Sequence, residues 1–105
     1  MTTHTIQTHT GDVIATGILN QSVITVEGNW YFAPEAVDMT YLRVTERTYT
    51  CPYKGVCYWL DLDAPGAQVQ NVGWVYQQPK PSFELIKDKI GFVPRSTACT
   101  QALTY

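Results

Sequence analysis

The chain has 105 residues, of which 45% are hydrophobic, enough for one domain with one modest core and no second domain. Seven Lys and Arg stand against nine Asp and Glu, and the net charge is -2. The basic residues form no stripe that would neutralise phosphates, which excludes a duplex nucleic-acid binder. No apolar run approaches the roughly 18 residues that span a bilayer. The opening MTTHTIQTHT lacks the basic-then-apolar pattern of a signal peptide. The expectation is therefore a cytoplasmic protein with no membrane partner.

Residues 1–10 are threonine-rich and polar. They predict either a frayed tail or an edge strand around Thr5–Thr8, with the packed core running from about 11 to 93 and both ends mobile. Gly11-Asp12 reads as a turn, and Val13–Thr16 as a short β run. Ser22–Val26 and Trp30–Phe32 are β-branched and aromatic, and Glu27-Gly28-Asn29 between them predicts a hairpin. Pro34 ends that strand and suits the first turn of a short helical segment. From Thr40 to Thr50 the pattern has a period near two. Leu42 and Val44 share one parity, and Arg43, Thr45, Arg47 and Tyr49 the other, so a half-buried strand is expected.

Val56–Leu62 alternates in the same way. Tyr58, Leu60 and Leu62 share one face, and Cys57, Trp59, Asp61 and Asp63 the other. After the turn at Pro65-Gly66, Gln68–Tyr76 makes a further strand, with Gly73 marking a bulge or a close backbone approach. Pro79 and Pro81 break the sheet, because neither can donate to a ladder. Ser82 then predicts an N-cap for one short C-terminal helix, Phe83–Ile90, with Phe83, Ile86 and Ile90 as its apolar stripe and Gly91 at its C′ position. The fold class expected is mainly β: a single small domain made of a curled antiparallel sheet or open barrel plus that helix.

The chemistry concentrates at Cys51-Pro52-Tyr53-Lys54-Gly55. Proline fixes φ and glycine permits positive φ, so the segment predicts a defined turn presenting Tyr53 and Lys54. "TCPYKG" followed by "YW", and then a W-V-Y-x-x-P segment, resembles the small uncharacterised family DUF427, sometimes labelled nucleotidyltransferase-like. Cys51, Pro52, Lys54 and Gly55 match its C-P-x-K-G element, and Trp74, Tyr76 and Pro79 its W-x-Y-x-x-P element. The resemblance runs from about Gly11 to Val93. It implies a compact β arrangement of the Mss4-like or β-tent kind. Members commonly end in a "GYVAFY"-like strand, where this chain has Ile90-Gly91-Phe92-Val93-Pro94, so a last strand that is shorter, or whose edge is differently covered, is expected.

Three cysteines make an odd count, which argues against a disulfide framework. Cys51 and Cys57 have the spacing to face each other across a hairpin, and reduced thiols are expected. Structural zinc wants four Cys or His ligands in close pairs. Without C-x-x-C, and with His4, His9 and Cys99 remote, no metal and no cofactor are expected. Asp61 and Asp63 share a strand face, where a cation would find two carboxylates or where both are simply solvated.

What remains is a candidate ligand site of Tyr53, Lys54, Trp59, Trp74 and Tyr76, with Arg43 and Arg47 as possible additions. A positive group among aromatic walls suits a small planar or anionic ligand; a tyrosine-rich core with a snorkelling lysine is the plainer alternative. An enzyme would use Lys54 with Cys51 or a carboxylate as helper. Seven tyrosines and three tryptophans also suit a structural homo-oligomer, with a homodimer as the default.

Overall fold

The computed structural model describes residues 1–105. Nine strands run through it: β1 Thr3–Thr8, β2 Val13–Ile18, β3 Val23–Val26, β4 Asn29–Phe32, β5 Leu42–Cys51, β6 Gly55–Ala64, β7 Ala67–Val75, β8 Ile90–Phe92 and β9 Thr100–Thr104. They form two open antiparallel sheets. One has the order β2-β1-β9, the other β3-β4-β8-β7-β6-β5. Neither sheet closes on itself, which corrects the expected curled sheet or open barrel. β3 and β5 end the larger sheet as free edges instead of meeting.

The main core lies between the two sheets. Ile6, Ile14 and Ala15 come from the smaller one, and Phe32, Leu60, Leu62, Val75 and Phe92 from the larger. Leu60 and Phe32 are fully buried, and a side chain of that size contributes about 1.5–3 kcal/mol on burial. Ile6 belongs to this core, so the core extends beyond residues 11–93. β1 is the middle strand of its sheet, paired with β2 and β9. Its polar residues are buried because they satisfy one another: Thr5 Oγ1 bonds Thr16 Oγ1 (2.9 Å), and His4 Nδ1 bonds Thr104 Oγ1 (3.0 Å). The His4 ring stacks on Trp30 at 3.9 Å.

No α-helix forms over 83–90. Pro81–Ile86 is instead a 3-10 segment, broken at Phe83 (φ -119°, ψ 23°), and Ser82 makes no capping bond. Lys80 occupies the N-cap position, and Asp88 turns left-handed (φ 62°). Ile90 already pairs with Phe32 and Val75 as strand. The apolar spacing of Ile86 and Ile90 thus spans two elements rather than one helical stripe. Gly91 is no helix cap either. It faces Trp74 across the ladder, and a Cβ there would stand 2.5 Å from the indole Nε1. Gly73 meets the expected close approach, since a Cβ would lie 2.7 Å from the Gly91 carbonyl oxygen. β8 has three residues but is not the expected last strand, because β9 follows it and pairs with β1.

The larger sheet is covered on its other face as well. Tyr31, Cys51, Cys57, Tyr76 and Ile86 form a second, smaller buried cluster there, with Trp74 and Phe83 packed against it. The 3-10 segment supplies Ile86 and Phe83 and is tied to the end of β7 by the Asp88 N–H donating to the Tyr76 carbonyl (2.9 Å). No helix is long and apolar enough to cross a membrane.

Candidate functional site

Two tight turns meet on that second face. The β3–β4 hairpin closes at Val26 and Asn29, with Glu27 (φ 51°) and Gly28 (φ 79°) as its central residues. Two successive positive φ values make a type I′ turn, whose twist matches the strands it joins. Glycine accepts that conformation without cost; glutamate does not. The β5–β6 hairpin closes at Cys51 and Gly55 around Pro52, Tyr53 and Lys54, with Gly55 at φ 107°. The Lys80 N–H donates to the Lys54 carbonyl (2.8 Å), and Lys80 Nζ donates to the Pro52 carbonyl (2.7 Å), so the 3-10 segment holds this turn from behind.

Lys54 folds back under its turn, and its side chain is only 12% exposed. The ammonium pairs with the Glu27 carboxylate, lies 3.9 Å from Cys51 Sγ, and sits 5.4 Å above the Phe83 ring centre. Burial pulls its pKa down, but Glu27 and the Cys51 sulfur outweigh this and leave it above the ordinary lysine value. The backbone N–H groups of Lys54 and Tyr53 are directed at the Cys51 sulfur. These two amides, joined by the Lys54 charge and opposed by burial, hold the Cys51 thiol below its ordinary range. Cys57 goes the other way: burial pushes its thiol up, and a bond from Tyr76 offsets only part of that. Burial likewise raises Tyr31 and Tyr76 above the normal phenol range. All three cysteines are free, and the ladder pairs Cys57 with Tyr49 rather than with Cys51.

Beside Lys54 is a cavity of about 240 Å³, lined by Asn29, Tyr31, Tyr49, Trp59, Trp74 and Tyr76 together with both thiols. The strand alternation builds it. Cys57 and Trp59 project from one face of β6, while Leu60 and Leu62 enter the main core from the other. Trp59 meets Trp74 edge to face at 6.2 Å, and Trp74 meets Tyr31 in the same way at 6.1 Å. Trp74 Nε1 donates to Tyr31 Oη (3.1 Å). The two tryptophans also wall a neighbouring, more apolar cavity of about 340 Å³ that includes Val72 and Phe92.

Of the residues expected from sequence, Lys54, Cys51, Trp59, Trp74 and Tyr76 come together at this cavity. Tyr53, Arg43 and Arg47 do not. Tyr53 points to solvent, 72% exposed. Arg47 sits in a bulge of β5 and Arg43 beyond it; Thr45 pins the bulge by donating to the Trp59 carbonyl (2.8 Å) and accepting from the Arg47 N–H (3.1 Å). Both arginines pair with Asp61. The Asn71 N–H (3.0 Å), and then the arginines, hold the Asp61 carboxyl below the usual range. Asp63 accepts from Gln68 Nε2 (3.1 Å). The depression around Arg43, Asp61 and Asp63 is larger, about 570 Å³, but its one cation, Arg43, is already paired with Asp61.

Tyr49, near Lys54 in the sequence, lines the cavity too, while Glu27, Tyr31 and Phe83 complete the surroundings of Lys54 and were not among the expected residues. The parity of Tyr49 with Cys57 across the hairpin was readable; the arrival of Glu27 and Tyr31 from another hairpin was not.

A comparison with curated proteins finds no match. A family model does match, over residues 5–102, and takes in both the turn at Lys54 and the W-x-Y-x-x-P segment. The chain belongs to the family described as Domain of unknown function (DUF427).

Proposed function

We propose that this domain binds a small planar ligand bearing an anionic or carbonyl oxygen, in the cavity beside Lys54. One observation carries the reading. Lys54 and three aromatic side chains, Trp59, Trp74 and Tyr76, converge on about 240 Å³ of unfilled space on a sheet face that would otherwise be packed. That volume falls below the ~300–1,000 Å³ of drug-sized pockets, which favours a ligand of one ring and a short chain. An ammonium has three donors. Glu27 and Cys51 take two of them, and the third remains for a ligand oxygen.

The test is a titration with small planar carboxylates and carbonyl compounds, followed by the intrinsic fluorescence of Trp59 and Trp74 and by thermal shift. Lys54→Met keeps the aliphatic stem and the fold but weakens an anion by about tenfold or more, since a charge-assisted bond is worth about 1.5–3 kcal/mol. Glu27→Gln removes the competing carboxylate and tightens the same anion. A wild-type protein that responds to no compound overturns the reading.

A second reading, self-association, draws support from Val44, Tyr49, Tyr53 and Val56, all exposed along the β5–β6 hairpin. Light scattering that reports only the 11.8 kDa monomer at high micromolar concentration removes it.

A further inference from the structure

The cavity beside Lys54 is lined by a nucleophile and two proton donors. Cys51 is 9% exposed and lines it, with the Lys54 ammonium 3.9 Å from its sulfur. Tyr31 is 1% exposed and lines the same space. Its oxygen accepts the Trp74 Nε1–H (3.1 Å), and no group of the protein takes the phenolic proton. A buried hydroxyl with a proton to give, an ammonium and a thiol around one small aromatic-walled space match a polarised carbonyl with a conjugated carbon beside it. Cys57 lines the space too, but no ammonium lies within hydrogen-bond reach of its sulfur.

We propose that Cys51 is a covalent capture site for small planar α,β-unsaturated carbonyl compounds, with Tyr31 and Lys54 holding the carbonyl oxygen. This rests on the ligand-site reading above and goes further by naming the chemistry. The Cys51 thiolate, its proton released to solvent, forms a bond from sulfur to the β-carbon. The C=C electron pair shifts toward the carbonyl, giving an enolate whose oxygen is held by the Tyr31 hydroxyl and the Lys54 ammonium. The α-carbon then takes a proton from Lys54, the carbonyl re-forms, and Lys54 regains a proton from water. The net change is addition of S–H across C=C, with no oxidant and no leaving group.

The experiment exposes the protein to cinnamaldehyde and reads intact and peptide mass. One adduct with the full mass of the aldehyde is expected on the peptide holding Cys51. Cys51→Ser removes it, while Cys57→Ser and Cys99→Ser keep it. Tyr31→Phe and Lys54→Met slow its formation by about tenfold or more and leave it on Cys51, so the proposal stays testable even where Cys51→Ser fails to fold. Labelling of Cys57 or Cys99 at a similar rate overturns the proposal, as does an adduct short by one water, which marks an imine on a lysine. Binding of cinnamate, a planar anion with a far less electrophilic double bond, is followed in parallel by tryptophan fluorescence. Cinnamate binding without a Cys51 adduct sinks covalent capture alone; absence of both sinks the ligand site as well.

Discussion

The two faces of the larger sheet are built from the same strands and differ by one residue of register. On one face Phe32, Leu60, Leu62, Val75 and Phe92 meet the smaller sheet and bury hydrocarbon. On the other, Tyr31, Cys57, Trp59, Trp74 and Tyr76 carry a hydroxyl, a thiol or an indole N–H and leave a cavity among them. Alternation divides the sheet into a face packed on the main core and a face with a smaller buried cluster and a cavity beside it. The difference teaches that β6 and β7 contribute to the main core and to the cavity at once. Stability should therefore depend mostly on the first set and ligand response mostly on the second.

Leu60→Ala is the strongest way to break that division. It empties a fully buried position between the sheets and should cost about 2–5 kcal/mol in chemical denaturation. If the loss stays under about 1 kcal/mol, the main core is not where the stability resides. Gly91→Ala comes next and attacks the seam between the faces. Its Cβ meets the Trp74 indole at 2.5 Å, so the ring must move and its bond to Tyr31 must weaken. A loss of about 1–3 kcal/mol is expected, with a shift in tryptophan emission, because the displaced indole walls both cavities. Unchanged emission would show that the ring has slack the geometry does not grant.

The smallest effect concerns acid. His4 stacks on Trp30 beneath the smaller sheet, and burial lowers its pKa below the ordinary value of 6.5. The unfolded chain then binds the proton more readily than the folded one, so this contribution is complete above pH 6.5 and declines as the pH falls below it. Melting temperature followed from pH 7.5 down to 5 should fall, and His4→Gln should flatten that part of the curve. A wild-type profile matching that of the variant would place His4 outside the titrating set.

Much of this division was legible in the sequence. The alternation of Val56–Leu62 assigned Leu60 and Leu62 to one side and Cys57 and Trp59 to the other. Proline and glycine around Lys54 announced a defined turn. The misses have particular physical causes. Thr5, Thr8 and Thr100 hide their burial by bonding Thr16, Thr10 and Thr97, so no apolar period marks either β1 or β9. Ile86 and Ile90 imitate a helical stripe because a 3-10 segment and a strand each place one of them inward. Arg43 and Arg47 share a parity with Tyr49, but the bulge at Thr45 and the carboxylate of Asp61 hold them away from the cavity. Glu27 carries no local sign of its role. Its left-handed backbone belongs to its own hairpin turn, and its contact with Lys54 appears only once that hairpin meets the β5–β6 hairpin. A non-glycine residue in such a conformation costs on the order of 1–3 kcal/mol and persists where its surroundings impose it.

The pairing of β1 with β9 governs how the molecule must assemble. The Thr3 N–H donates to the Tyr105 carbonyl and the Tyr105 N–H to the Thr3 carbonyl, at 3.0 and 2.8 Å. A contact between strands so far apart in sequence closes a very long loop, and closure entropy grows with loop length. The hairpins β3–β4, β5–β6 and β6–β7 are local and have no such delay. During synthesis β1 acquires its second neighbour only after β9 has emerged. Until then the hydrogen-bonding edge of β1 that β9 will cover stays open, and for that interval a nascent chain is at its most vulnerable to pairing with the wrong strand.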